Sequence, residues 1–399
     1  MRYRFIIFGA GPSGLAFAHT LLDAGETSFL IVDQEAEAGG LCRSKLVDGH
    51  ELDIGGGHFL DIKNKEAIDL LFRFMPEDEW SMYDRISRIK LHGLEIDYPI
   101  EANLWQLSKE AQADYLESIA RAGSAGGMPM PKVFSEWITW KLGSLIANEY
   151  MLPYNRKIWS MPLDGLGTYW LYKLPSVSFR ETLLSCLYGK PYGNLPAHSK
   201  FYYPRKYGYG EVWRRMGNAL SDHFIPNSRV NSIDLKSMTV NSRWSAETIV
   251  SSIPWPCWLT AAGMPSSIIG AIKDLKNASI DVDYYPENLS TNAHWIYVPD
   301  ESVPYHRFLA RHNFCTGSKG YWTECNSKRS RPTNSFRYSN QWAYPINTVN
   351  KPALVKTITA WALSNNILPI GRWGTWEHMN SDIAVSEGIK FAKKTLGGR

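Results

Sequence analysis

The hydrophobic pattern at the start of the chain predicts a strand, a helix and a second strand in succession. Residues 5–8 form a short, uninterrupted apolar run, which is typical of a buried parallel strand. The apolar positions between residues 15 and 22 follow at helical spacing, and residues 28–32, which are apolar from Phe29 onward, are predicted to form a second strand. A crossover helix joins two parallel strands in this order, so an α/β fold is predicted.

Later parts of the chain alternate between the helical and the strand pattern of apolar residues. An amphipathic helix is predicted at residues 65–74, and two short strands that meet at a glycine-containing turn are predicted within residues 87–99. The remaining predictions are helices at 104–122, 134–150, 212–220 and 383–395, and strands at 229–234, 238–241 and 248–254.

A glycine motif lies between the first strand and the first helix. In Gly9-x-Gly11-x-x-Gly14, the first glycine allows a tight turn, the second lets the backbone approach a pyrophosphate, and the third lets the helix pack closely on its strand. Asp33 follows the second strand at the spacing expected of a ribose-binding carboxylate. Glycines also serve ordinary turns, but the strand, the helix and the acid together favour a nucleotide site. Its predicted residues are Gly9, Gly11, Pro12, Ser13, Gly14 and Asp33.

Composition limits the classes of function. A chain of 399 residues is too long for one simple core, so two or three domains are expected. The net charge of +4 comes from scattered Lys and Arg, which argues against a nucleic-acid partner and leaves room for a local basic pocket that holds a phosphorylated ligand. The 16 Trp and 21 Tyr indicate pockets walled by aromatic rings, although large cores use aromatic residues too.

The five cysteines are far apart and form no CxxC pair. They are expected to be reduced thiols rather than disulfides or zinc ligands, and no metal site is predicted. No apolar run reaches the roughly 18 residues of a membrane helix, and the chain enters a strand without a signal-peptide pattern. The expected location is the cytoplasm, with no membrane insertion.

A second glycine patch resembles that of FAD-binding, amine-oxidase-like flavoproteins. The resemblance is carried by Gly39-Gly40-x-x-Arg43 and Asp53-Ile-Gly-Gly-Gly-His58. It implies FAD rather than a nicotinamide cofactor, with Arg43 facing the diphosphate and the glycines beside the flavin ring. A carboxyl-terminal strand, Gly-Arg pair and helix resemble the segment that closes on the flavin in this fold. The FAD-binding residues implied by both segments are Gly40, Leu41, Arg43, Gly56, Gly57, His58, Gly371, Arg372, Asn380 and Ser381.

The same resemblance implies the domain organisation. The strand at 248–254 would return the chain to the nucleotide-binding sheet, so the cofactor domain is expected to be discontinuous. The predicted fold is α/β, with a Rossmann-type FAD-binding parallel sheet, an inserted helical domain and an antiparallel-sheet substrate domain. The expected boundaries are residues 1–85, 205–265 and 360–399 for the FAD domain, 100–190 for the helical insert, and 86–99, 191–204 and 266–359 for the substrate domain.

Three further motifs resemble those of UDP-galactopyranose mutases. Tyr154-Asn-Arg-Lys-Ile-Trp159 resembles a motif at the nucleotide end of the mutase substrate site, which implies that Trp159 stacks on a pyrimidine and that Tyr154 lines the same pocket. Pro-Tyr-His-Arg307 resembles a corner whose arginine contacts the substrate diphosphate, and Tyr344-Pro resembles one whose tyrosine lies near it. Buried aromatics and a strand-edge ion pair are the alternative interpretations of these residues.

The chain departs from the mutase pattern at two places. Lys173 stands where bacterial mutases carry a catalytic arginine on a mobile loop, and lysine cannot supply the bidentate guanidinium fork. Either the substrate differs or another arginine, such as Arg180, takes that role. His378 and Asn380 stand where mutases typically have tyrosine and aspartate, so the contacts to sugar or flavin are expected to differ. Glu324 matches a family glutamate of structural use.

The mutase resemblance implies an isomerase that acts on a nucleotide-diphosphate sugar. Reduced flavin would attack the anomeric carbon through N5, displace the diphosphate and form a covalent sugar–flavin adduct that opens and recloses, with no net redox change. Reduced FAD would be the active form, NAD(P)H a candidate reductant, and a homodimer is compatible with the sequence. The implied catalytic residues are Arg307, His58 and Lys173, and the implied substrate-binding residues are Tyr154, Trp159, Tyr344 and His378.

Other functions stay open from the sequence. An FAD-dependent amine oxidase or desaturase would pass a hydride to the cofactor and would need an apolar tunnel rather than a diphosphate clamp. A non-catalytic FAD-binding protein would bind a nucleotide sugar without turnover. UDP-galactose is the default substrate, while UDP-N-acetylgalactosamine, a deoxythymidine-diphosphate sugar and a pentose are alternatives. His58 either acts beside the flavin or only hydrogen-bonds the backbone.

Overall fold

A computed structural model describes residues 1–173, 177–193, 199–315 and 317–397. The strands of this part are β1 (Arg2–Phe8), β2 (Phe29–Val32), β3 (Ser44–Val47), β4 (His50–Asp53), β5 (Leu60–Asp61), β6 (Trp80–Asp84), β7 (Ser87–Leu91), β8 (Leu94–Asp97), β9 (Lys200–Pro204), β10 (Phe224–Ile225), β11 (Ile233–Asp234), β12 (Thr239–Val240), β13 (Trp244–Ser251), β14 (Ala261–Ala262), β15 (Asn277–Tyr285), β16 (Trp295–Tyr297), β17 (Arg307–Leu309), β18 (Tyr321–Asn326), β19 (Arg337–Pro345) and β20 (Ile367–Pro369).

The α-helices of the same residues are α1 (Pro12–Asp23), α2 (Lys65–Phe72), α3 (Ile100–Asn103), α4 (Lys109–Ala120), α5 (Phe134–Ile146), α6 (Leu152–Trp159), α7 (Phe179–Tyr188), α8 (Gly210–Asn218), α9 (Ser266–Asp274), α10 (Lys351–Ser364), α11 (Gly371–Gly374) and α12 (Ser381–Gly397). Short 3-10 helices lie at Gly40–Cys42, Glu77–Glu79, Leu104–Gln106, Leu163–Gly165, Leu171–Lys173, Trp255–Thr260 and Arg311–Asn313, and a π-helical turn at Ala147–Met151 joins α5 to α6.

The central sheet contains the predicted amino-terminal βαβ unit. Its strand order is β10-β2-β1-β13-β12-β11-β14, and β20 also pairs with β13. Strand β1 is parallel to β2 and β13, whereas β12 is antiparallel to β11 and β13. Ile7 and Ile31 pack into a core shared with α1 and α12, and Ile6 and Leu30 pack into a second core shared with α9 and α10. Helices cover both faces, which explains why β2 is apolar throughout.

A second, seven-stranded sheet has the order β19-β15-β18-β17-β16-β7-β8. Its neighbours are antiparallel except for β16 and β7, which are parallel. The predicted hairpin within residues 87–99 forms β7 and β8. This sheet carries the alternating side chains that form one wall of the functional site. The α/β fold with a Rossmann-type sheet and a separate, mainly antiparallel sheet is therefore confirmed.

Helices α3 to α7 enclose a third apolar core that also contacts β7 and β8. The predicted helix at 104–122 divides into a 3-10 turn and α4, because the Ser108 side chain accepts a hydrogen bond from the Ala111 N–H at 3.2 Å and caps a new helix start. Strand β9 pairs with β5 and β6 in a small sheet of its own. The domain boundaries themselves stay a prediction. Within the described ranges, no helix has the length and apolar character needed to cross a membrane.

Candidate functional site

A cleft of about 370 Å³ lies at the carboxyl ends of β1, β2 and β13. One end is formed by residues 33–35 and 228–230, and the other by His58, Arg372 and Met379. This is the edge of an open α/β sheet at which ligands usually bind. The predicted residues that line it are Gly9, Gly11, Pro12, Ser13, Asp33, Gly40, Leu41, Arg43, His58, Arg372, Asn380 and Ser381.

The glycines of the first motif have two different uses. Gly9 has φ +94°, a backbone conformation that favours glycine, and a Cβ on Gly14 would lie 2.0 Å from the Gly9 carbonyl oxygen. Gly11 has an ordinary φ of −77°. A Cβ on Gly11 would meet only the Gly40 Cα, at 4.0 Å, so its bare backbone leaves space in the cleft rather than in the packing. Gly9 and Gly14 therefore shape the turn, and Gly11 keeps the cleft open.

Asp33 directly follows β2 and lies at one end of the cleft. Its carboxylate accepts hydrogen bonds from the Ala10 N–H at 2.7 Å and the Glu35 N–H at 2.9 Å. Burial raises the pKa of Asp33, while these two N–H groups favour its charged form. Each carboxylate oxygen keeps a second acceptor direction, so the group can also accept from the hydroxyls of a ribose.

Arg43 lines the cleft but shares its charge with an acid. Its Nη1 is 2.7 Å from Glu35 Oε2, and its Nη2 donates to the Tyr338 hydroxyl at 3.2 Å. A diphosphate at this position would therefore meet a guanidinium that already has a carboxylate neighbour. Asn340, from the same strand as Tyr338, donates to the Ile54 carbonyl at 2.6 Å and forms part of the cleft wall.

His58 and Arg372 form the opposite end of the cleft. The Nδ1 of His58 lies 3.1 Å from the Gly56 carbonyl oxygen, which can only accept, so Nδ1 carries the hydrogen. Burial and repulsion from Arg372 lower the pKa of His58 to about 3. The imidazole is therefore neutral at physiological pH and its Nε2 is an acceptor. Arg372 donates to the Ala343 and Met379 carbonyl oxygens at 2.9 and 2.7 Å, and burial lowers its pKa.

The predicted substrate residues meet around Tyr344, next to this end of the cleft. The Tyr344 ring lies 6.4 Å from the Trp159 ring and 5.3 Å from the His378 ring, measured between centroids. Arg307 Nη2 donates to the Tyr344 hydroxyl at 3.4 Å, and the Arg372 guanidinium carbon is 5.9 Å from the ring centroid. We call this cluster, together with Tyr154 and Tyr297, the aromatic site.

Tyr154 completes the aromatic site from α6. Its ring is 5.5 Å from that of Tyr297 and 5.7 Å from that of Tyr150. Burial raises the pKa of Tyr154 well above its ordinary value, so its hydroxyl stays protonated. Lys157, one turn further along α6, is fully buried and donates to the carbonyl oxygens of Val298 and Asp300 at 2.9 and 2.6 Å. This contact joins the helix of Tyr154 and Trp159 to the loop that precedes Arg307.

Tyr297, Arg307 and Glu324 stand side by side on three neighbouring strands, a relationship that the sequence does not reveal. The register places Tyr297 opposite Arg307 and Arg307 opposite Glu324. Glu324 is fully buried, forms an ion pair with Arg307 and accepts from the Gly57 N–H at 3.0 Å. Only alternation along β16, β17 and β18 could have indicated that the three side chains share a face.

Four of the predicted cofactor-binding residues do not line the cleft: Gly14, Gly56, Gly57 and Gly371. Gly14 and Gly371 serve packing, since a Cβ on Gly371 would lie 2.2 Å from the Ser13 hydroxyl oxygen. Gly56 and Gly57 also serve packing. A Cβ on Gly56 would lie 2.7 Å from the Glu324 carboxylate, and a Cβ on Gly57 would lie 2.2 Å from the Leu309 side chain. The side chain of Lys173 lies outside the described residues. Arg180, the alternative to Lys173 as the catalytic cation, is exposed in the first turn of α7. No cluster of metal-ligating side chains occurs in the described ranges.

Comparison with known proteins identifies the nucleotide-binding unit and the fold. Residues 7–74 match the NAD(P)-binding Rossmann-like domain family. The whole chain superposes on a reduced UDP-galactopyranose mutase with a TM-score of 0.90 and 21% identity, covering 94% of that protein. It also superposes, over 99–100% of both chains, on a candidate protoporphyrinogen oxidase from Exiguobacterium sp. 255-15 (TM-score 0.73, 12% identity) and on cyclohexylamine oxidase from Brevibacterium oxydans (TM-score 0.66, 14% identity).

These comparisons define the fold, which combines a Rossmann-type sheet with a second sheet and is shared by this mutase and these oxidases. The chain has the fold of UDP-galactopyranose mutase from end to end.

Proposed function

We propose that the cleft binds FAD. The glycine pair Gly11 and Gly40 leaves room for a pyrophosphate, and Asp33 offers carboxylate oxygens to a ribose at one end of the cleft. The opposite end, between His58 and Arg372, would hold the flavin ring. The fit rests on these contacts, and the similarity to flavoenzyme folds supports it.

We infer further that the protein interconverts the pyranose and furanose forms of a nucleotide-diphosphate sugar of the UDP-galactose type, without net redox change. The observation that carries this proposal is the cluster of Arg307, Tyr344 and Arg372 next to the flavin end of the cleft. When bound and reduced, FAD would supply an electron-rich nucleophile for the anomeric carbon.

The side chains around the aromatic site suit the rest of this reaction. Trp159 and Tyr154 offer ring faces on which a nucleobase can stack, a contact worth roughly 1–3 kcal/mol by analogy with single-strand binders. Arg307 would bind the diphosphate and stabilise the charge that develops as it leaves. The Tyr344 hydroxyl lies beside this guanidinium and would orient the same group. Neutral His58 would accept a hydrogen bond through Nε2 near the flavin, without adding positive charge.

An amine oxidase, the second candidate, would need a site that tolerates a cationic substrate. Arg307 and Arg372 both approach the aromatic site, and the acid Glu324 pairs with Arg307. This excess of positive charge disfavours an ammonium ion and favours a diphosphate. The charge balance therefore supports the mutase over the amine oxidase.

The test is to load the purified protein with FAD, reduce it with dithionite under anaerobic conditions and follow nucleotide sugars by NMR. The proposal predicts exchange between pyranose and furanose forms of UDP-galactose or a related sugar. Binding of the sugar without exchange would support the non-catalytic FAD-binding protein. Stoichiometric consumption of oxygen or NAD(P)H with an oxidised product would support an oxidase or desaturase.

A further inference from the structure

The Tyr297 hydroxyl has both of its lone pairs occupied. Trp295 Nε1 and Arg85 Nη2 each donate a hydrogen bond to it at 3.0 Å. A phenol oxygen accepts at most two such bonds and carries one hydrogen of its own. The hydroxyl can therefore take a further partner only as a donor, and no acceptor for its hydrogen lies within hydrogen-bond distance among the residues that the structure describes.

Tyr297 belongs to the wall of the aromatic site. It stands opposite Arg307 on the neighbouring strand, so both side chains leave the same face of the sheet. Its ring lies 5.5 Å from that of Tyr154 and 5.2 Å from that of Tyr98, and the side chain is partly exposed. The O–H group of this partly exposed side chain is therefore available to a ligand that binds beside Arg307 and Tyr154.

Arg85 is held firmly behind this hydroxyl. Its guanidinium carbon lies 4.5 Å from the Trp295 ring and 5.6 Å from the Tyr98 ring, and its Nε donates to the Ser87 hydroxyl at 2.6 Å. A cation that donates to a phenol oxygen polarises the O–H bond and strengthens it as a donor. Such a donor is best matched by an anionic acceptor.

We propose that Tyr297 contacts the substrate and donates a hydrogen bond to a phosphate oxygen of the nucleotide diphosphate, next to Arg307. Arg85 is the positioning residue, since it acts through Tyr297 by fixing and polarising its hydroxyl. This inference rests on the proposed function and adds to it a specificity for the diphosphate. A nucleoside without phosphates would gain nothing from Tyr297.

The experiment measures the dissociation constants of uridine, UMP and UDP by calorimetry on the FAD-loaded protein. Tyr297→Phe removes only the hydroxyl, and we expect it to weaken UDP binding about tenfold or more, because hydrogen bonds to charged groups contribute roughly 1.5–3 kcal/mol. Uridine binding should stay within about twofold. Tyr321→Phe is the matched control, because Tyr321 stacks on Tyr285 and lies on the opposite face of the sheet from Glu324.

Arg85→Met separates a positioning role from a direct one. We expect it to weaken UDP binding in the wild type and to have little further effect in the Tyr297→Phe background, as a double-mutant cycle would show. Equal weakening of uridine and UDP by Tyr297→Phe, or no weakening of either, would overturn the inference while leaving the mutase proposal intact. A wild-type protein that binds no nucleotide diphosphate would overturn both.

Discussion

Arg307 and Glu324 face each other across adjacent strands, and their ion pair links the aromatic site to the turn that ends at His58. Glu324 is fully buried, and it also accepts a hydrogen bond from the Gly57 N–H at 3.0 Å. The carboxylate therefore fixes both the guanidinium and the glycine turn. The glutamate has a structural use, as the family resemblance implies, and that use is to hold two parts of the site together.

Arg307→Ala should lower the rate of sugar exchange by roughly 100-fold or more, since one lost donor to developing charge costs about that much. The flavin absorption spectrum should remain intact because Arg307 does not line the cleft. The measurement is exchange by NMR alongside the visible spectrum. Unchanged turnover would remove this arginine from the mechanism.

The same substitution should also destabilise the protein, because it leaves the Glu324 carboxylate buried without its partner. Breaking a buried pair in this way costs about 3–5 kcal/mol. The double variant Arg307→Gln, Glu324→Gln is the control, since it removes both charges. It should recover most of the unfolding free energy, measured in urea, without recovering turnover.

Gly11→Ala should abolish FAD binding while leaving the fold intact. The φ of Gly11 is ordinary, and the new methyl group would meet only the Gly40 Cα at 4.0 Å within the protein, so it would occupy the cleft instead. Gly270→Ala, on the open face of α9, is the control and should change neither property. Flavin content and the urea midpoint are the two readouts. A yellow Gly11→Ala protein would show that the pyrophosphate binds elsewhere.

His58 should contribute to acid sensitivity. Its pKa is about 3 in the folded protein and about 6.5 in an unfolded chain, so between these values only the unfolded state binds the proton. Stability is therefore lost as the pH falls from about 6.5 toward 3.

His58→Asn removes the titration, and the amide can still donate to the Gly56 carbonyl. The stability difference between wild type and variant should shift in favour of the variant on going from pH 7 to pH 5, as measured by urea unfolding. The other buried histidines, such as His19 and His294, titrate equally in both proteins and cancel. Parallel curves at the two pH values would contradict the assignment.

Lys157→Met should raise the KM for the nucleotide sugar by roughly tenfold with a smaller effect on kcat, because Lys157 joins α6 to the loop before Arg307. Arg156→Met is a matched control from the same helix. Arg156 contacts Glu301 of that loop at 3.5 Å but is half exposed, and exposed pairs contribute only about 0–1 kcal/mol. Equal effects of the two variants on KM would show that the buried contact has no special role.

The nucleotide end of the site could be predicted from the sequence because its geometry is local. Gly9, Gly11 and Gly14 lie within one turn between a strand and a helix, and Asp33 ends the next strand. The helix predicted at residues 65–74 and the hairpin predicted within residues 87–99 are also found where short-range patterns placed them, although the hairpin belongs to the second sheet.

The other wall of the site depends on strand register, which short-range patterns do not specify. Tyr297 and Glu324 are neighbours of Arg307 only because β16, β17 and β18 pair in one alignment. Arg85 reaches Tyr297 from a segment more than 200 residues earlier in the chain. Cytoplasmic location and a homodimer stay predictions from the sequence.

The most direct test compares the number of product molecules formed with the number of electrons supplied to the flavin. FAD-loaded protein is reduced once, excess dithionite is removed anaerobically, and furanose is measured by NMR after addition of the pyranose nucleotide sugar. A mutase would form many product molecules per enzyme, and its flavin would still be reduced at the end. One product per reduced flavin, with the flavin reoxidised, would show a redox reaction instead.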